Sequence, residues 1–224
     1  MHSPNFKKPY QIHVAWNCND NRWNSCNSIY DHRAGAEKEM MNSPVTTIII
    51  LINIAIFGLV NTKKLDVGSL GSSYMMTIQN HQYHRVITSA FTQREVMHLF
   101  CNMYSLYNIG TTLERALGKE LYILFYALIM VVGGLLSARI KKKKSPFTLS
   151  IGASGVLCGL FGIYMVIAFS IWGFAGIRSM VPTIVILVAM TLSPKIDSVG
   201  HFTGLLTGLI CGIVVVNMYS FVAY

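Results

Sequence analysis

The sequence predicts an all-α polytopic membrane protein, a bundle of six transmembrane helices. Three observations predict it. Charge is scarce: 12% of the 224 residues are charged and 53% are hydrophobic, whereas an ordinary soluble domain is about 25% charged. The mean hydropathy of +0.48 agrees with that class. The charges cluster between six apolar runs, at about 44–60, 96–113, 121–138, 148–171, 177–193 and 199–222, each near the roughly 20 residues that a helix needs to cross a bilayer. None of the runs alternates with period two as a barrel strand would, so each is expected to satisfy its backbone polar groups internally, as a helix.

The elements follow in order. Residues 1–43 form a polar, Asn-rich tail with no apolar signal-peptide core, expected to be loosely ordered. His13, Cys18, Cys26 and His32 within it lack the short cysteine gaps of structural zinc sites, and no metal is expected. Ser43 and Pro44 read as cap and first-turn residue of the first span. The second span carries "HLFCN", and the run Lys141–Lys144 reads as a solvated turn at the membrane surface between the third and fourth. The net charge of +9 is assigned to headgroup contacts rather than to nucleic acid. Cys101, Cys158 and Cys211 fall inside spans and are expected to be buried small apolar residues. The tail apart, residues 44–224 are expected to form one six-helix domain.

Polar groups inside apolar spans are functional candidates. His98 and Asn102 stand four apart, on one face of the second span; Ser154 opens the fourth, in "SIGASGVLCGLFG", and His201 opens the sixth, in "GHFTGLLTG". Spans two, four and six all enter from the same side, so these four side chains can meet near one surface. Gly152, Gly155, Gly159 and Gly162, and Gly204, Gly208 and Gly212, give two helix faces that can approach closely. Together they would bring the Ser154 hydroxyl to the His201 ring. An imidazole that accepts the hydroxyl proton turns a weak nucleophile into an effective one. The oxyanion that follows needs fixed donors, which His98, Asn102 and the Ser154 backbone N–H can supply. Asp197, four before His201, reads as the cap of the sixth helix rather than as a third member, so the set is a dyad.

"HLFCN", "GASG" and "GHFTGLLTG", in this order on spans two, four and six, resemble the rhomboid intramembrane serine proteases. The resemblance covers roughly residues 44–222, and "HRVITSAFTQREVMHLFCN" is similar to the end of that family's long first loop. It implies a six-helix core, Ser154 as nucleophile and His201 as base, with His98 and Asn102 in the oxyanion hole. It further implies cleavage of single-pass transmembrane proteins within the lipid bilayer, without a cofactor. The chain departs from the family at His84-Arg85, where a Trp-Arg pair is usual, at Ala116 in "LERALG", and at Cys158, where an aromatic often packs on the histidine. A silent relative that binds or escorts membrane helices is the alternative; its expected mark, loss of the serine or the base, is missing here. A small transporter would show internal repeats or spans broken at mid-membrane, which the sequence lacks. The expected setting is a multi-pass protein of the cell membrane or an endomembrane.

Overall fold

The computed structural model describes residues 42–178, 180, 181, 185 and 197–222; most of the tail and most of the fifth predicted span, 177–193, lie outside the described residues. Among the described residues four helices are long and apolar enough to cross a membrane: Pro44–Asn61, Lys119–Ile140, Ser154–Trp172 and Ser198–Met218. We call Pro44–Asn61 α1. The second predicted span is a rod of α2 (Val96–Ser105), a π-helical turn (Leu106–Gly110) and α3 (Thr111–Leu117). It holds more polar groups than the four apolar helices, Glu114 and Arg115 at its end among them. The third is a rod of α4 (Lys119–Leu128), a second π turn (Ile129–Gly133) and α5 (Gly134–Ile140). α6 spans Ser154–Trp172 and α7 Ser198–Val222.

Outward faces carry Leu51, Phe100, Leu124 and Ile210, each at least half exposed, as helices solvated by lipid require. Cys101 is exposed on this surface, contrary to the expectation of burial, while Cys158 and Cys211 are buried. The inward faces meet in one core around Leu106, Leu113, Tyr122, Ile129, Leu160 and Ile163.

The start of α1 is not capped as predicted. Pro44 does occupy the first turn, but the Ser43 side chain makes no capping bond. The buried Glu114 carboxylate instead accepts the backbone N–H groups of Val45 at 2.9 Å and Thr46 at 2.8 Å. An ionised acceptor is stronger than a hydroxyl at the positive end of a helix. It also ties the end of the second rod to the start of the first span.

Between α1 and α2 the chain forms a structured loop with short helical turns at Val67–Leu70, Tyr74–Gln79 and Arg85–Ala90. The buried Arg85 guanidinium holds it closed, donating to the carbonyls of Gly68 at 2.7 Å and Gly71 at 2.9 Å. Ser72 and Ser150 pair as an antiparallel bridge, with N–H···O distances of 3.1 and 2.7 Å. This bridge, with the Gly152 N–H on the Ser89 carbonyl at 2.9 Å, keeps the chain before Ser154 out of helix. The fourth span therefore begins at Ser154 and not at 148.

α6 and α7 run parallel, backbone on backbone. A Cβ on Gly204 would collide with the Gly155 carbonyl oxygen, one on Gly208 with that of Gly159, and one on Gly212 with Ile163 Cα at 3.1 Å. The three contacts Gly155–Gly204, Gly159–Gly208 and Ile163–Gly212 share one offset of 49, as parallel helices give. The second π turn adds a third backbone, since a Cβ on Gly133 would lie 3.3 Å from Gly204 Cα. Gly152 does not belong to this seam: it sits in the turn before α6 with φ +112°, and its missing side chain makes room elsewhere.

Gly208→Leu is expected to force α6 and α7 apart, at a cost of at least the about 1–3 kcal/mol typical of overpacking. Thermal unfolding in detergent should show a clearly lowered midpoint for this variant. An unchanged midpoint would mean that the seam tolerates a branched side chain.

Candidate active site

The seam delivers two side chains to each other. Ser154 is the first residue of α6 and His201 lies in the first turn of α7, so the register places both at the same end of the helix pair. His201 Nε2 and Ser154 Oγ are 2.8 Å apart, a hydrogen bond between a half-buried hydroxyl and a buried ring. The ring's other nitrogen, Nδ1, is buried without a partner among the described residues. Backbone N–H groups in the first turn of α6 lack intrahelical carbonyls, as in any helix start, and lie beside the hydroxyl.

His98 and Asn102 approach from α2. A Cβ built on Gly152 would lie 2.8 Å from His98 Cε1, 3.1 Å from its Nε2 and 3.3 Å from Gln93 Oε1. His98 therefore packs against the turn that leads into Ser154, and the backbone there must be glycine for two reasons: the positive φ and the space taken by the ring. Asn102 is buried and donates through Nδ2 to Gln93 Oε1 at 3.0 Å. Ser154 and His201 thus touch directly, His98 borders their turn, and Asn102 connects through Gln93. A cavity of about 60 Å³ opens beside the pair, with Ser89, Ser137, Ser150, Gly152, Asp197 and His201 in its wall.

Asp197 acts as the sequence indicated and also does more. Its Oδ1 accepts the Gly200 N–H at 3.0 Å, capping α7. Its Oδ2 pairs with Lys141 Nζ at 2.6 Å, and Lys141 donates as well to Ser150 Oγ at 2.6 Å. Lys142, Lys143 and Lys144 are exposed, but Lys141 is only 4% exposed, so the first lysine of the run is not part of a solvated turn. A buried ammonium needs a counter-charge, and Asp197 supplies it. Burial pushes the Asp197 carboxyl upward, but the Lys141 ammonium, the Ser150 hydroxyl and the Gly200 N–H outweigh it and hold its pKa below the ordinary carboxylate value. Sequence reasoning missed this pair and also missed Gln93; the signal for Gln93 was an amide nine residues before Asn102 in an otherwise structured loop.

Residues 80–218 match the Rhomboid domain. The chain belongs to the rhomboid family. It is 30% identical to RHOMBOID-like protein 1 of Arabidopsis thaliana over 144 residues, 62% of this chain and 36% of that protein. It is 30% identical to Rhomboid-like protease 3 of Toxoplasma gondii over 151 residues, 63% of this chain and 56% of that protein. It is 26% identical to Rhomboid protease GluP of Bacillus subtilis (strain 168) over 175 residues, 73% of this chain and 33% of that protein. The chain thus aligns with between about a third and somewhat over half of these relatives. Like the rest of the rhomboid family it is a helical integral membrane protein. The matched region runs from the loop that Arg85 closes to the helix that carries His201, so the rhomboid domain includes all four candidate site residues.

Breaking the Lys141–Asp197 pair should loosen the start of α7. Lys141→Met leaves a carboxylate without its cation and is expected to cost about 2–3 kcal/mol, less than a fully buried pair because Asp197 keeps some exposure. Because the folded pKa is lowered, this contribution is present above the unfolded carboxylate value of about 3.9 and is lost as pH falls through the folded value. Unfolding midpoints of wild type and Lys141→Met measured from neutral to strongly acid pH should therefore differ most at neutral pH and converge in acid.

Proposed function

We propose that this rhomboid protein is an intramembrane serine endopeptidase that cleaves single-pass transmembrane proteins in or near their membrane segments, and that residues 44–224 are its six-helix protease domain. The observation that carries the reading is the 2.8 Å contact of Ser154 Oγ with His201 Nε2, held by two helices whose backbones touch. The names of the relatives in Toxoplasma gondii and Bacillus subtilis, both proteases, support it.

In this reading His201 Nε2 takes the Ser154 proton as Oγ attacks the scissile carbonyl carbon. The C=O electron pair moves onto oxygen, where His98, Asn102 and the Ser154 N–H donate to it. The imidazolium then gives its proton to the leaving amine, the C–N bond breaks, and an acyl-serine remains. A water, deprotonated by the same imidazole, attacks that ester and releases the acid and the serine hydroxyl. The hydroxyl-lined cavity beside the pair gives that water hydrogen-bonding partners inside an otherwise apolar bundle. This reading assigns no carboxylate to Nδ1, since Asp197 is engaged by the Gly200 N–H and Lys141.

Three variants test it, with a single-pass test substrate in liposomes and a serine-reactive phosphonate. Ser154→Ala and His201→Ala should each abolish cleavage and phosphonate labelling while the protein stays folded. Asn102→Ala should lower kcat by about ten- to a thousandfold with little change in KM, since a transition-state donor is lost while backbone donors remain. Full turnover in either dyad variant would remove that residue from the mechanism. An inert, unlabelled wild type would favour the alternative, a silent protein that binds membrane helices.

A further inference from the structure

A line of three side-chain amides runs from the first span to Asn102. Asn53, on α1, donates through Nδ2 to the Ile49 carbonyl at 2.9 Å. Gln93, in the loop, donates through Nε2 to Asn53 Oδ1 at 3.3 Å. Asn102 donates through Nδ2 to Gln93 Oε1 at 3.0 Å. Asn53 and Gln93 are fully buried and Asn102 nearly so.

The line has a direction, and its first member sets it. A backbone carbonyl can only accept, whereas a side-chain amide has a donor end and an acceptor end. The Ile49 carbonyl must face the NH2 of Asn53, which turns Asn53 Oδ1 toward Gln93. Gln93 must then offer its NH2 to Asn53 and its oxygen to Asn102. Asn102 is left with one choice: it presents NH2. Flipping any one amide would set oxygen against oxygen, or NH2 against NH2, in a buried site where neither can turn to water.

We propose that Asn53 and Gln93 are positioning residues, which fix the side-chain amide of Asn102 with its NH2 group, not its oxygen, toward the candidate oxyanion site. This rests on the protease reading, in which Asn102 is a donor. One N–H of Asn102 is held by Gln93, and the other is the hydrogen bond that the oxyanion needs. Gln93 also borders the turn that leads into Ser154, because its Oε1 and the His98 ring share the space that a Gly152 side chain would fill. The Asn102 oxygen turned toward the developing negative charge would repel it, whereas the Gln93 oxygen is taken up by the Asn102 N–H, so the orientation of the Asn102 amide decides whether it assists or opposes the reaction.

The experiment is a kinetic cycle on the full chain in liposomes, with the single-pass test substrate and unfolding midpoints measured in parallel. Gln93→Met should lower kcat about tenfold with KM changed less than about twofold. Asn53→Leu, which acts through Gln93, should lower it about three- to tenfold. Gln93→His keeps a neutral acceptor for Asn102 and a donor for Asn53, and should stay within about threefold of wild type even if its midpoint falls as far as that of Gln93→Met. In an Asn102→Ala background, Gln93→Met should change kcat less than about twofold, since the group it orients is gone. Unchanged kcat in Gln93→Met, equal losses in Gln93→Met and Gln93→His, or an undiminished loss in the Asn102→Ala background would each overturn the proposal. A wild type that neither cleaves nor labels would overturn the protease reading instead. The relay would then be judged on midpoints alone: Asn53→Leu with Asn102→Ala should destabilise less than additively, and strict additivity would end it.

Discussion

The contact of α6 with α7 is the constraint on which the rest of this molecule depends. Lipid offers apolar side chains as good a surrounding as another helix does, so helices in a membrane associate through close packing and polar contacts. Glycine at every fourth position removes the side chains that would hold the backbones apart. Here the carbonyls of Gly155 and Gly159 lie where a Cβ on Gly204 or Gly208 would be. A seam this close permits one register, and that register sets Ser154 opposite His201. Fixing the hydroxyl and the ring is therefore a property of the whole interface, and the site needs no separate scaffold to align them.

Around that seam several buried polar groups find partners in other parts of the chain. Glu114 takes two N–H groups of α1, Lys141 takes Asp197, Arg85 takes two loop carbonyls, and the amides of Asn53, Gln93 and Asn102 take one another. Unpartnered, each would carry a desolvation penalty that the apolar interior cannot relieve. Each pairing also joins two elements that apolar packing alone would leave free to slide. Polar contacts thus specify how the rods are arranged, and the glycine seam brings Ser154 and His201 together.

Much of this was legible in the sequence because it rests on local rules. Run length and the scarcity of charge announce membrane helices, and spacing by four announces the close face. The parity of the spans brings Ser154 and His201 to one end. What escaped is non-local. Nothing near Lys141 says that it is buried, since its partner is 56 positions away and its neighbours in the run are exposed. Glu114 displaced Ser43 as the cap of α1 because it arrives from the far end of the second rod. Gly152, read as one more packing glycine, answers to a positive φ and to the His98 ring. Asn53 has no second polar side chain one turn away on its span, as His98 and Asn102 have in each other, and its partner Gln93 lies 40 positions off.

The Lys141–Asp197 pair has a consequence in time as well as in space. A chain is made from its N-terminus onward, so Lys141 and Ser154 exist before Asp197 and His201 do. Until α7 arrives, the lysine has no counter-charge and the serine hydroxyl has no imidazole partner. The docking that neutralises the one also supplies the other, because Asp197 and His201 share the first turn of α7. A half-made copy of this chain thus holds the Ser154 hydroxyl with no imidazole beside it, and the Ser154–His201 contact forms only when α7 docks.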